Sequence, residues 1–234
     1  MTPPAAAEVD HLVVAARTLD EGVQWCEATL GITPGPGGAH PLMGTHNRLM
    51  NIAAPGFPRA YLEIIAIDPT QQPTRAAGLH RWFDLDDAGL QAGLAQHGPQ
   101  LVHFVARVAD AKAALRSLAA ADPHIDRGQL IEASRATPAG LLEWQITVRD
   151  DGQRLFYGAL PTLIQWGPVH PVDAMPASGL ELVSLAATHP RAESLRAALD
   201  VIGLGVMSLH AGSPNLAAVL RTPRGLVTLE SKGL

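Results

Sequence analysis

A strand, a capped helix and a set of short strands recur three times along this chain. That recurrence constrains the fold more than any single motif, because a repeated unit dictates which residues occupy equivalent places. In the first copy, residues 9–16 read as a strand, Thr18 as an N-cap, and residues 19–30 as an amphipathic helix that stops at Gly31. Two strand-like apolar runs follow at 47–53 and 60–67, the second closed by Asp68-Pro69. The order returns with a strand at 101–108, Asp110 as cap, a helix to residue 121, and strands near 128–134, 141–149 and 162–166. A third copy places a strand at 180–187, Thr188 before a helix ending at Gly203, and strands at 205–210, 216–221 and 226–230. Residues 69–100 read as a connection with a short helix, and the proline-rich stretch 167–178 as a linker.

Setting Thr18, Asp110 and Thr188 level puts His11, His103 and Glu181 at one first-strand position. On the last strand of each copy, Glu63, Gln165 and Glu230 each stand among apolar neighbours. Strand side chains alternate between faces, so such a residue points either to solvent or into the concave side of a sheet. A carboxylate flanked by Tyr61, Leu62, Ile64 and Ile65 is costly to bury without a cation or strong hydrogen bonds. Imidazole nitrogen with carboxylate oxygen suits Zn²⁺, Ni²⁺, Mn²⁺ or Fe²⁺ better than Ca²⁺ or Mg²⁺. Glu181 and Glu230, with no histidine beside them, are expected to be solvated. The segment Gly44 to Arg48, with His46 and Asn47, is equally compatible with turn chemistry and with contacts to a polar substrate. Arg135 and Trp144, in the middle strands of the second copy, could grip a carboxylate and wall a cavity, or lie on the surface or in the core.

With 47% hydrophobic residues in 234, burial can hold the chain together. A formal charge of −5 with 17 Lys and Arg scattered singly argues against nucleic acid and anionic membrane as partners, and for a small-molecule ligand. The single Cys26 makes no intrachain disulfide and reads as a buried structural thiol. The start of the chain carries no basic and apolar leader, and the apolar runs fall short of the ~20 residues that span a bilayer, so a cytoplasmic location is expected.

DHLVVA, then GTHN, then YLEIIAID and PTLIQWGPVHP, in that order and spacing, resemble the glyoxalase-like domain family of the vicinal oxygen chelate superfamily over residues 8–172. The resemblance implies an α+β fold in which paired βαβββ modules curl a mixed sheet into a half-barrel around a cavity. With the repeat, it divides the chain into a glyoxalase-like domain at residues 1–172, with modules at 8–68 and 101–167 joined by the connection 69–100, and a third βαβββ module at 173–234, read from the repeat, that extends or caps the cavity. It implies metal ligands at His11, Glu63, His103 and Gln165, and places His46 and Asn47 at the pocket. Members that isomerise hemithioacetals use a glutamate on the last strand as proton-transfer base, which the neutral Gln165 cannot replace. His11, His103 and Glu63 also match the two-histidine, one-carboxylate ligand type of non-haem iron oxygenases, although the extradiol dioxygenases draw the carboxylate from the later module. The expectation is a divalent-metal-dependent lyase, isomerase or dioxygenase acting on a small oxygenated metabolite, or else a non-catalytic binding protein of the bleomycin-resistance type. Three modules leave one without an internal mate, and open sheet edges invite pairing, so a homodimer is expected. Light scattering at micromolar concentration should give twice the chain mass, and a monomer alone would reject the dimer.

Overall fold

The computed structural model describes residues 6–137 and 140–233. The first module comprises β1 (Glu8–Ala15), α1 (Leu19–Leu30), β2 (Ala39–His40), β3 (Thr45–Asn51) and β4 (Tyr61–Ile67). After the connecting helix α2 (Ala88–His97) come β5 (Gln100–Arg107), α3 (Ala111–Ala121), β6 (Gln129–Thr137), β7 (Gly140–Val148) and β8 (Thr162–Trp166). The third set is β9 (Glu181–Thr188), α4 (Ala192–Val201), β10 (Ser208–His210), β11 (Asn215–Thr222) and β12 (Gly225–Glu230). The first two modules share one curled eight-stranded mixed sheet in the order β2-β3-β4-β1-β5-β8-β7-β6, while β10-β9-β11-β12 form a second sheet. Among the described residues no helix is long and apolar enough to cross a membrane.

The two modules join in mid-sheet through an antiparallel ladder between β1 and β5, in which His11 faces Val105 and Val13 faces His103. Each of these strands pairs in parallel with the last strand of its own module, Val13 opposite Glu63 and Val105 opposite Thr162. The two modules are therefore related by a pseudo-twofold axis through the β1–β5 ladder. Each strand carries one extra residue in that ladder, Asp10 on β1 and Val102 on β5, at equivalent positions. Such bulges bend a strand and re-aim the side chains beside them.

Alternation along the central strands sends Leu12, Val14, Leu62, Ile64, Phe104, Ala106 and Leu163 to one face, where they pack with α1, α3 and the third set of elements. Val13, Ala15, Ile65, Val105, Ile146 and Ile164 point to the concave face. Strands buried on both faces need this continuous apolar character, and each fully buried side chain contributes roughly 1.5–3 kcal/mol. Helix α1 comes close enough for Gly22 to matter: a Cβ there would stand 2.4 Å from Ile64 Cγ2.

Thr18 and Asp110 cap their helices as read from the sequence, accepting from Glu21 N and Ala113 N. Thr188 does not cap α4. Its hydroxyl bonds to Ser213 O, His189-Pro190 extends the chain, and the helix begins only after Arg191, whose N–H donates to His189 Nδ1. The third set of elements also lies elsewhere than expected, since it backs the convex, helix-covered face and does not cap the concave one. Its attachment includes backbone bonds from Ala7 N to Ile202 O (3.0 Å) and Leu182 N to Ile52 O (2.8 Å).

The cover of the concave face is the connection between the modules. Trp82, Phe83, Leu85, Leu90 and Leu94 pack onto Val13, Ile65, Val105 and Ile164. Phe83 and Asp84 adopt positive φ values of 60° and 58° to turn the Trp82–Phe83 pair inward, an unfavourable conformation for residues other than glycine.

Candidate functional site

His11 lies on the concave face of β1, 4% exposed, and the bulge brings Asp10 to its side. Asp10 Oδ1 is 2.7 Å from His11 Nδ1, so the hydrogen-bond network assigns the Nδ1 proton to that bond and turns Nε2 toward Glu63 Oε2, 3.6 Å away. Glu63 is held from the other side, where Asn47 Nδ2 donates to its Oε1 at 2.6 Å and Asn47 Oδ1 accepts from Gly38 N. Tyr61, one strand position before Leu62, stacks on the His11 ring with centroids 4.5 Å apart. Asp10 is fully buried, and its second oxygen accepts from Trp166 Nε1 (3.0 Å) and faces His170 Nε2 (2.9 Å). Burial alone would raise the Asp10 pKa, yet hydrogen bonds and charge from His11 and His170 outweigh it and hold the carboxyl well below the usual range. Burial, and after it the neighbouring Arg135, pushes His40 down to about 3, so it stands neutral beside Asn47. Burial, with Asp10 and Glu63 next, raises the Tyr61 phenol well above its ordinary value.

These groups open onto a small cavity walled by Leu142, Trp144, Ile146, Ile164 and Trp166 and closed by Trp82 and Phe83. Its free space is about 40 Å³, room for only a few waters at ~10–15 Å³ each. Arg135 reaches into it from β6, with its Nη1 buried and lacking any partner among the described residues.

Of the eight site residues named from the sequence, five meet here: His11, Glu63, Asn47, Arg135 and Trp144. His46 turns to the other face of β3, where its Nδ1 is 3.7 Å from Asp68. Gln165 also faces away, its Oε1 accepting from Ala111 N at the start of α3. The residue equivalent to Glu63 in the ladders is Thr162, not Gln165. His103 is equivalent to His11, but both its nitrogens are occupied. Nδ1 faces Gly158 O at 2.9 Å, and Nε2 accepts from Thr162 N (3.1 Å) and faces Thr162 Oγ1 (3.0 Å). Burial first, then Arg127 and Arg154, pushes His103 well below its ordinary pKa and keeps it neutral. Among the described residues no three His, Cys, Asp or Glu side chains gather closely enough to hold an ion by themselves. Asp10, His40, Tyr61 and His170 join this candidate site without having been singled out in the sequence. Asp10 alone carried a signal, since an acid among Val9, Leu12 and Val13 raises the same burial question as Glu63.

Residues 9–203 match the family model of the glyoxalase-like domain. The chain belongs to that family. Among solved structures, this glyoxalase-like protein is similar to a hypothetical protein from Staphylococcus aureus, with a TM-score of 0.56 and 13% identity, covering 97% of this chain and 85% of that one. A methylmalonyl-CoA epimerase from Mycobacterium tuberculosis gives a TM-score of 0.39 at 18% identity, with 74% and 95% coverage. A mutant of 4-hydroxymandelate synthase from Streptomyces coelicolor gives 0.46 at 12% identity, with 98% and 63%. No curated protein sequence matches.

A histidine whose pKa is lowered by folding lends stability that is complete above its unfolded value of ~6.5 and is lost as pH falls below it. His103→Gln should destabilise the protein at pH 7. The gap to wild type should then narrow by about 1.2 kcal/mol between pH 6 and pH 5, because only wild type has this proton to take up on unfolding. Denaturant titrations at the two pH values read the gap; a constant gap would show that His103 titrates normally.

Proposed function

We propose that this chain is a divalent-metal-dependent enzyme of lyase or isomerase type, acting on a small oxygenated metabolite, with His11 and Glu63 as the protein ligands. The observation that carries the reading is the 3.6 Å approach of His11 Nε2 to Glu63 Oε2. With the Nδ1 proton given to Asp10, two lone-pair-bearing atoms face each other in a buried site, an arrangement that requires something electropositive between them. Two donors bonded to one ion at ~2.1 Å stand roughly 3–4 Å apart, so the pair fits. A carboxylate behind the ligating histidine is also the arrangement that fixes an imidazole for a metal.

When bound, the ion would supply Lewis-acid polarisation of adjacent substrate oxygens. Asp10 keeps the imidazole in one tautomer and one orientation. Asn47 engages Glu63 Oε1 and leaves Oε2 to the site. Arg135 offers unpaired donors to an anionic or oxygen-rich substrate, while Tyr61, Trp144 and Trp166 exclude water. With His103 engaged elsewhere, the two-histidine set of a dioxygenase is not assembled, which favours lyase or isomerase chemistry. Only two protein ligands leave most coordination positions to water or substrate. The cavity is too small for a substrate with Trp82 and Phe83 in place, so the reading requires the connection to move. The expected setting is the cytoplasm, as a homodimer.

The second reading is sequestration without turnover, favoured by Thr162, an uncharged residue, at the second-module position equivalent to Glu63. Tight binding of a compound that survives chelation and shows no turnover would select it.

Metal analysis of the purified protein should find about one divalent ion per chain. His11→Ala should abolish uptake, and Asp10→Asn should weaken it by about 10–100-fold. Finding no ion, with uptake unchanged in His11→Ala, would overturn the metal reading.

A further inference from the structure

The second module carries a half-site of opposite electrostatic character. Its equivalents of Asp10, His11 and Glu63 are Val102, His103 and Thr162. Both acids are replaced by uncharged residues, while the histidine is retained and kept neutral. Beside it lies Arg127, 2% exposed, whose Nη2 donates to Thr162 Oγ1 at 2.7 Å. That hydroxyl can then donate to His103 Nε2, and His103 Nδ1 to Gly158 O, so one directional chain of bonds runs from the guanidinium through both residues. No carboxylate lies within ion-pairing distance of Arg127 among the described residues, whereas Arg149 pairs with Asp126 and Asp151, and Arg154 with Asp84. Arg127 Nε and Nη1 are buried without partners, and so is Trp82 Nε1. All three atoms belong to residues lining one small cavity, whose wall also includes Thr147, Gly152, Arg154 and Thr162.

A guanidinium buried without a counter-charge is expensive, and unpaired N–H donors add to the cost. We propose that this cavity is a binding site for a small monovalent anion of halide size, held by Arg127 and Trp82 Nε1. Charge sets the sign of the ligand, and space sets its size: about 10 Å³ is free, room for roughly one water-sized particle. The charged side chains lining the cavity, Arg127, Arg149 and Arg154, are all cationic, and Asp126, the carboxylate that acts on Arg127, lies beyond ion-pairing distance. The site is separate from the His11–Glu63 pair, and its occupancy does not depend on a metal there. Since Trp82 and Phe83 wall both cavities, anion binding would also pin the cover of the first site in place.

The test is thermal unfolding of the full chain, followed by circular dichroism, with bromide replacing gluconate at constant ionic strength. The wild-type midpoint should rise by about 5–10 °C at a hundredfold excess of bromide over its dissociation constant. Arg127→Met should show no bromide response, and Trp82→Phe a weaker one. Crystals soaked in bromide should show an anomalous peak against Arg127 and the Trp82 indole N–H. Equal midpoints in bromide and gluconate would overturn the proposal, as would an undiminished response in Arg127→Met. If that variant does not fold, Trp82→Phe and the bromine peak decide. A response to formate but not bromide would overturn the halide assignment and identify a carboxylate ligand instead.

Discussion

The antiparallel ladder between β1 and β5 joins the two modules, and the bulge within each strand governs what that joint can do. Regular alternation would send Asp10 and His11 to opposite faces. The extra residue on β1 lets Asp10 sit fully buried and still reach His11 Nδ1, and from there the remaining contacts follow. Asp10 binds Trp166 and His170 from the C-terminal end of the second module, so one carboxylate ties β1 to β8 and to the turn that follows it. His11 is thereby aimed at Glu63, and Glu63 is steadied by Asn47 from β3. A buried carboxylate is tolerable only with such partners, and here the partners are the site.

The same joint, viewed from the other module, has diverged. Val102 occupies the bulge where Asp10 stands, and Thr162 occupies the position of Glu63. His103 consequently has no acid to orient it and no acid to face; backbone groups and a hydroxyl satisfy both its nitrogens. Two half-sites built on one geometry therefore hold opposite charge, a histidine between carboxylates on one side and a neutral histidine beside Arg127 on the other. Trp82 and Phe83 fill the space between them, held by two residues in the left-handed backbone region.

Much of this fold was legible as a periodicity. The strands fell within a few residues of their expected bounds, and Thr18 and Asp110 are caps, because apolar alternation and capping are local properties of the chain. Thr188 misled because His189 and Pro190 delay the helix, which moves the third copy out of register. Gln165 misled because a polar residue in an apolar run was matched by neighbourhood, whereas equivalence is set by ladder pairing: three residues from Thr162, it lies on the opposite face, against α3. His46 faces away from the cavity for the same reason, one residue from Asn47. The bulges, the contact of His170 with Asp10, and the side on which the third set of elements packs depend on pairing between distant segments, and no local pattern encodes them.

The central claim is that Asp10 poises His11 to share a divalent cation with Glu63. Anomalous scattering from crystals grown with manganese or zinc, recorded on either side of the metal edge, tests it most directly. The account predicts one strong peak bonded to both His11 Nε2 and Glu63, with Asp10 still on Nδ1. A map without a peak, in which His11 Nε2 instead closes to hydrogen-bonding distance of Glu63, would contradict it and leave the pair as an imidazolium–carboxylate bridge.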